Sequence, residues 1–202
     1  QAGDDIASGT DWTIDKDGKL TIASDTGMTN WEGDENHYGN KKIIETVELL
    51  DGVTFIKESA FFESSLTAIT IPSSVTKIED GAFWGSQSLT NITIPESVTS
   101  MGWAVFEHCE SLESVTVLRE NPAEIGENVF TYCKFVTGNE KGIKVPEGTA
   151  AEYKAAWTEW PEYITDGTDG TEDDFLASGT GWTLTKSGKL TIMSGVGRAD
   201  WV

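Results

Sequence analysis

Short bursts of alternating apolar and polar residues recur along the middle of the chain. Ile69-Thr70-Ile71, Ile92-Thr93-Ile94 and Val115-Thr116-Val117 follow one another at a step of 23 residues. A period of two predicts strands that turn one face to a core. Pro72 and Pro95 end the first two strands, because proline has no amide hydrogen to continue a ladder. A second extended piece is predicted from 76 to 79 with Ile78 inward. After it a Gly81-Ala82-Phe83 corner drops the aromatic ring into the interior, and Leu89 closes the circuit. The same step relates Val75 to Val98, Ile78 to Met101 and Leu89 to Leu112. Val47, Leu49, Val53 and Ile56 fill the equivalent slots one repeat earlier. The phenylalanine slot is filled four times, by Phe61, Phe83, Phe106 and Phe130. One repeat of this size cannot bury its own apolar face and must stack on its neighbours. The pattern therefore predicts a mostly β repeat solenoid over residues 43–146, with about four coils of 22–24 residues. Like should lie on like, in interior columns of Ile/Val, Phe and Leu. The last coil departs from the pattern: Leu118 stands where proline is expected, and Phe130 follows Phe106 by 24 residues. Ile143-Lys144-Val145-Pro146 is predicted as the closing strand, after a loop or hairpin turn from Thr137 to Gly142.

Residues 1–42 lack the repeat. Trp12-Thr13-Ile14 and Leu20-Thr21-Ile22 read as a hairpin joined through Asp17-Gly18, where glycine takes the positive φ of the bend. Asp15-Lys16-Asp17-Gly18 resembles the start of a calcium loop, but the glutamate that such a loop requires downstream is missing. The polar stretch from Ser24 to Asn40, a loop around His37 with Trp31 and Tyr38 as anchors, is expected to close the first open end of the solenoid. Residues 147–164 change to alanine-rich sequence that favours a helix, with Thr149 as N-cap and Pro161 as stop. Tyr153, Trp157 and Trp160 fall at helical spacings, so they are expected on one face as a lid over the last coil. Residues 165–174 form an acidic linker. From 175 to 202 the chain repeats its own beginning. Trp182-Thr-Leu-Thr-Lys-Ser-Gly188-Lys-Leu-Thr-Ile192 matches Trp12-Thr-Ile-Asp-Lys-Asp-Gly18-Lys-Leu-Thr-Ile22 at an offset of 170, which holds to Trp31 and Trp201. This is expected to be the opening hairpin of a second copy of the unit, packed on its own chain's C-terminal helical segment or on a neighbouring molecule.

The net charge of −20, from 14 basic and 34 acidic residues, repels phosphate backbones and anionic lipid. Nucleic acid is thereby excluded as a partner. No stretch approaches the roughly 20 apolar residues of a membrane span, so no insertion of this segment is expected. Catalytic constellations are scarce, and neither a cofactor motif nor a metal-ligand spacing is present. His108 precedes Cys109, which invites a thiol nucleophile. Yet Cys109 and Cys133 occupy a slot that holds Ser64 and Ser86 in earlier coils, so small corner-filling side chains account for all four. Stacking brings the two cysteines to about 5 Å, inside disulfide reach, but parallel Cβ vectors favour free thiols. Abundant acids make any carboxylate pair uninformative, and a solenoid surface lacks a deep pocket. No enzyme is expected.

The phrase I-x-x-x-A-F-x-x-[C/S]-x-S-L-x-x-I-T-I-P-x-S-V, recurring in register across residues 43–146, resembles the leucine-rich repeats of the BspA type. The hairpin phrase W-T-x-x-x-x-G-x-L-T-I and the segment Val145-Pro-x-Gly…Tyr153-Lys-Ala-Ala-x-x-x-x-Trp are similar to the flanking modules of that family. The resemblance implies a right-handed leucine-rich-repeat superhelix in a secreted or surface-attached bacterial protein. It also implies adhesion to a protein or glycan of a host or microbial surface. From the residues, the candidate contacts are aromatic side chains expected outside the core. Phe62 and Trp84 follow a core phenylalanine directly, His108 and Tyr132 lie two positions after one, and Trp103 replaces an acid of the other coils. They serve either as recognition anchors or as covers for neighbouring loops. The other reading of the whole chain is a spacer in a tandem-repeat surface protein. Self-association through the 175–202 hairpin is a further expectation.

Overall fold

A computed structural model describes residues 5–32, 37–138, 142–168, 175–179, 182–185 and 190–192, without the side chains of 32, 37, 38 and everything from 169 onward. The chain forms two units, 1–166 and 167–202.

In the first unit, β1 (Asp5–Gly9), β2 (Trp12–Asp15) and β3 (Lys19–Ser24) make an antiparallel sheet. The Asp15 carboxylate accepts from the amides of Asp17 and Lys19, at 2.9 and 3.0 Å, which fixes the turn before Gly18. That is the work of a turn aspartate, and it accounts for Asp15. Helix α1 (Asp25–Glu32) follows, and the Ser24 hydroxyl accepts from the Gly27 amide at 3.2 Å as an N-cap. Gly27 is required there, since a Cβ would sit 2.3 Å from the Asp11 carbonyl oxygen. Met28 and Trp31, one turn apart, bury the inner face of α1. Trp31 meets Trp12 edge to face at 5.3 Å and donates to the Ala60 carbonyl at 2.8 Å. Low intrinsic helix propensity hid this helix; its cap and its apolar pair make it. His37, expected in a loop, opens the short helix α2 (His37–Lys41) instead. The expected anchor role of the Tyr38 side chain lies outside the described residues.

The repeats then alternate between two sets of parallel strands. β4 (Thr46–Gly52) pairs with β3 and with β6 (Ala68–Thr70) in the first sheet. β5 (Phe55–Ile56), β7 (Lys77–Ile78), β9 (Ser100–Met101) and β11 (Glu124–Ile125) form the second, with Ile56, Ile78, Met101 and Ile125 in register. β8 (Asn91–Ile94), β10 (Ser114–Val117) and β12 (Ile143–Lys144) pair parallel in a third. In that third sheet the segment expected to supply the closing strand is itself flanked by another, β13 (Ile164–Thr165). Its short, isolated apolar pattern carried no strand signal. The span from Thr137 also differs from expectation, because Thr137 ends the helix α3 (Lys134–Thr137), while 139–141 lie outside the described residues.

Interior columns form as the spacing predicts. Phe61, Phe83, Phe106 and Phe130 are fully buried and stack in one file, with centroids 5.2, 5.2 and 5.8 Å apart. Leu66, Leu89 and Leu112 are equally buried, and Phe135 takes their slot in the last repeat. Past the last ring, helix α4 (Ala150–Ala156) and a 3-10 turn (Pro161–Tyr163) bring up Tyr153, Trp157 and Trp160, all buried. Trp157 and Trp160 approach Phe130 at 6.1 and 5.7 Å. Trp157 donates to the Ala123 carbonyl at 2.9 Å and the Tyr153 hydroxyl to that of Arg119 at 2.6 Å. Two local expectations need correcting. Thr149 precedes the helix but gives its hydroxyl to the Pro146 carbonyl instead of accepting from a helix amide. Trp160 lies beyond the helix end at Trp157 and reaches the cluster by the turn, not by helical spacing.

The second unit contains β14 (Phe175–Gly179), β15 (Trp182–Thr185) and β16 (Leu190–Ile192). Their antiparallel pairing reproduces β1–β3 residue for residue: Gly179 pairs with Trp182 as Gly9 does with Trp12. A register shift lies between 175 and 177, as it does between 5 and 7. Of the linker expected at 165–174, Thr165 instead belongs to β13, paired with Lys144; its residues 169–174, the packing of the hairpin side chains and Trp201 lie outside the described residues.

Candidate binding surface

The corners that carry the phenylalanines also build the outer surface beside them. In each repeat the residues two before and two after the core ring have positive φ: Ser59 and Glu63, Gly81 and Gly85, Ala104 and His108, Asn128 and Tyr132. A left-handed conformation costs a side-chain-bearing residue about 1–2 kcal/mol, yet only two of these eight are glycine. The offset comes from hydrogen bonds between repeats. The amides of Ser59, Phe61 and Glu63 donate to the carbonyls of Asp80, Ala82 and Trp84 at 3.0, 2.7 and 2.7 Å. Gly81, Phe83 and Gly85 donate likewise to Trp103, Val105 and Glu107, and Ala104, Phe106 and His108 to Glu127, Val129 and Thr131. Intervening amides close local turns, such as Phe62 to the Ser59 carbonyl at 3.1 Å. Such a corner is a rigid mount for whatever its outer side chains present.

The slot three after each phenylalanine completes the corner. Ser86 donates to the Phe61 carbonyl at 2.7 Å, Cys109 to that of Phe83 at 3.1 Å and Cys133 to that of Phe106 at 3.2 Å. A small donor suits the slot, which explains the exchange of serine for cysteine. Both thiols are free and buried. Desolvation pushes the Cys109 thiol up to about 12 and raises Cys133 well above 9.0, with the neighbouring Cys109 adding to the latter. Neither thiol forms the thiolate that nucleophilic chemistry needs near neutral pH. The ring of His108 packs in the outer file described next, while the adjacent thiol faces the core. Among the described residues, no group of three or more His, Cys, Asp or Glu side chains could hold a metal ion.

Four of the five candidate side chains come together. Phe62 stacks on Trp84 with centroids 4.7 Å apart and planes 8° from parallel. Trp84 meets His108 edge to face at 5.1 Å, and His108 stacks on Tyr132 at 4.5 Å and 21°. The spacing of the repeats thus makes a second aromatic file, outside the first. Its members come from two different slots, which the sequence pattern kept in separate columns. Phe62, Trp84 and His108 are half-buried by one another, and so are Glu107 and Thr131, rather than standing free in solvent as the pattern suggests. The Trp84 indole is further held by its N–H donating to Glu107 Oε2 at 3.2 Å. At the end of the file Tyr132 leaves 52 % of its surface open. Trp103 is separate. It is 50 % exposed, makes no ring contact among the described residues, and has its amide held by Asp80 Oδ1 at 2.8 Å.

Beside the file a groove of about 280 Å³ is lined by Lys42, Glu63, Trp84, Gly85, Gln87 and His108. It exists because the row Glu63, Gly85, His108, Tyr132 lacks one side chain. Lys42 Nζ bridges its rim, donating to the Glu63 carbonyl at 2.7 Å and standing 3.8 Å from the Glu63 carboxylate. Lys42 precedes the repeats and Gln87 lies in a turn, so neither announced itself as a site residue. Gly85 did leave a signal, as the one gap in an otherwise substituted row.

Comparison with known families gives a match to the BspA type leucine rich repeat region, in six copies over residues 34–139, just over half of the chain. The chain belongs to this family. The solved structures include a leucine rich cell surface protein of Faecalibacterium prausnitzii A2-165, 17% identical to this BspA-type chain, with a TM-score of 0.33. That alignment covers 96% of this chain and 62% of the other, so the chain spans under two thirds of that neighbour's length. A comparison with curated proteins finds no match. The family match begins at residue 34, ahead of the first strand of the 43–146 repeats, and so takes in Lys41 and Lys42 of the α2 region.

Proposed function

We propose that this BspA-type chain is a non-catalytic binding module of a secreted or surface-attached protein, with the outer aromatic file as its contact surface. The carrying observation is the continuous stack Phe62–Trp84–His108–Tyr132 on backbone corners locked by hydrogen bonds between repeats. Aromatic groups held rigid before contact lose little entropy on binding, which is what recognition anchors require. Trp103, exposed on the same corners, is a second contact. The partner is a protein or glycan of a host or microbial surface, and the role is adhesion. No helix among the described residues is long and apolar enough to cross a membrane. In this reading the repeats wind as a right-handed solenoid of about four coils, with the 1–42 hairpin segment and the 147–164 helical segment over its ends. Titration of the chain over immobilised matrix proteins and glycans tests the role. Binding that is lost with Tyr132→Ala and weakened with Trp103→Ala supports it, and binding indifferent to both overturns it.

A second reading, a spacer unit in a tandem protein, is favoured by a different observation. The strand register of β14–β16 copies that of β1–β3, as the 170-residue sequence offset does. Self-association through the 175–202 hairpin belongs with this reading. Deleting residues 173–202 tests it: an unchanged oligomeric state removes self-association. Absence of any partner, alongside an extended array in a protein carrying several copies, would favour the spacer over the binding module.

A further inference from the structure

From the groove at Gly85 we infer a subsite for one neutral sugar ring, so that the partner of the outer surface is a glycan presenting an uncharged hexose. The inference rests on the binding-module reading and narrows it. Its starting point is the glycine. Gly85 has φ +66°, but Glu63, His108 and Tyr132 adopt the same conformation with side chains in place, so the backbone does not demand glycine there. A Cβ at Gly85 would press most closely on the Glu63 Cγ, at 3.2 Å, the movable part of an exposed side chain, and would meet the Glu63 backbone Cα and N at ordinary contact distances of 3.8 and 3.9 Å. What the glycine provides is empty space in a filled row.

The lining then selects the occupant. A volume of about 280 Å³ falls at or just below the roughly 300–1,000 Å³ of sites for drug-sized ligands and suits a single ring. An anion would face the Glu63 carboxylate within a chain of net charge −20. A cation would face the Lys42 ammonium, which already stands by that carboxylate. A wholly apolar group would strip water from Glu63, Gln87 and Lys42 and return no hydrogen bond. A neutral polyhydroxylated ring meets none of these penalties. Its hydroxyls both donate and accept, matching the Glu63 carboxylate, the Lys42 ammonium and the Gln87 amide. Its C–H face finds an aromatic wall where the Trp84 indole and the His108 ring meet at 63°. Both rings are already fixed, Trp84 by Phe62 and Glu107, His108 by Tyr132.

Saturation-transfer NMR on the full chain tests this with methyl glycosides of glucose, galactose and mannose, and with N-acetylneuraminic acid and N-acetyl-lysine amide as charged probes. At least one neutral glycoside should receive saturation and neither charged probe should. Gly85→Asn fills the gap with a residue that accepts positive φ, and Gln87→Ala removes a partner from an exposed position. Each should weaken the signal by about tenfold in affinity, whereas Leu118→Ala, at an exposed side chain that does not line the groove, should leave it unchanged. No transfer to any neutral glycoside, equal transfer in Gly85→Asn, or a preference for a charged probe would each overturn the subsite. If the sugars fail while capture by matrix proteins still depends on Tyr132, the subsite falls and the binding-module reading stands. If the sugars bind through Gly85 while Tyr132→Ala is silent, the subsite stands and the role given to the file's open end falls.

Discussion

Two files of four rings run side by side through the same corners, and they obey different rules. The inner file is phenylalanine in every repeat, fully buried, with planes 23°, 11° and 0° apart from one pair to the next. The outer file mixes phenylalanine, tryptophan, histidine and tyrosine, changes slot half-way, and turns one of its contacts edge-on. Inside, a ring must fill a fixed volume at the packing density of a core, so only one side chain suits the slot. Outside, solvent fills any misfit, so composition is free to follow a partner. The contrast separates what holds the repeats together from what they show to their surroundings.

The largest effect expected from breaking this contrast is on the inner file. Phe83→Ala should lower stability by about 3–5 kcal/mol, because the cavity lies between two stacked neighbours. Urea unfolding should show the lowered midpoint. On the outer file Trp84→Ala should cost about 1–2 kcal/mol, from its ring contacts and its hydrogen bond to Glu107. If the two losses were equal, the distinction between the files would be wrong. A pH series sharpens the role of the buried donors between them. The folded Cys109 thiol keeps its proton up to about 12, while an unfolded thiol loses it above 9.0. Its contribution is therefore complete below pH 9 and falls as pH rises toward 12, by up to about 1.4 kcal/mol per unit. Cys109→Ser keeps the donor to the Phe83 carbonyl and should flatten the slope of unfolding midpoint against pH that Cys109 adds. The smallest stability effect belongs to Tyr132→Ala, about 0.5–1 kcal/mol from its stack on His108, although the same change should abolish partner capture. A large destabilisation there would make Tyr132 a structural cover instead of an anchor.

Much of the fold was legible because its constraint is periodic. A strand that must bury every second side chain, and a corner that must deliver one ring per repeat, leave a mark that returns every 22–24 residues. Features without a period were harder to read. Helix α1 depends on one cap, Ser24, and one apolar pair, Met28 and Trp31, in sequence that otherwise disfavours helix. Strand β13 is two residues long and exists because β12 offers it an edge. The candidate residues themselves were visible as aromatics in unusual slots, but not their grouping. Phe62 to Trp84 is a step of 22 residues, and Trp84 to His108 one of 24. Only the second step differs from that of the inner rings beside it, Phe83 to Phe106, and the extra residue carries the outer file from one slot to the next.

By itself, then, the sequence determined the repeat, the inner ring file, the serine-or-cysteine slot and the doubled hairpin, since each follows from a local rule applied at a constant interval. Tertiary structure alone decided that the outer rings touch, that Trp103 stands apart from them, and that Lys42, Glu63 and Gln87 converge on the space left at Gly85. Those meetings depend on how far one repeat slides over the next. The inter-repeat hydrogen bonds and the packing of the buried file set that distance together, and no single stretch of chain encodes it.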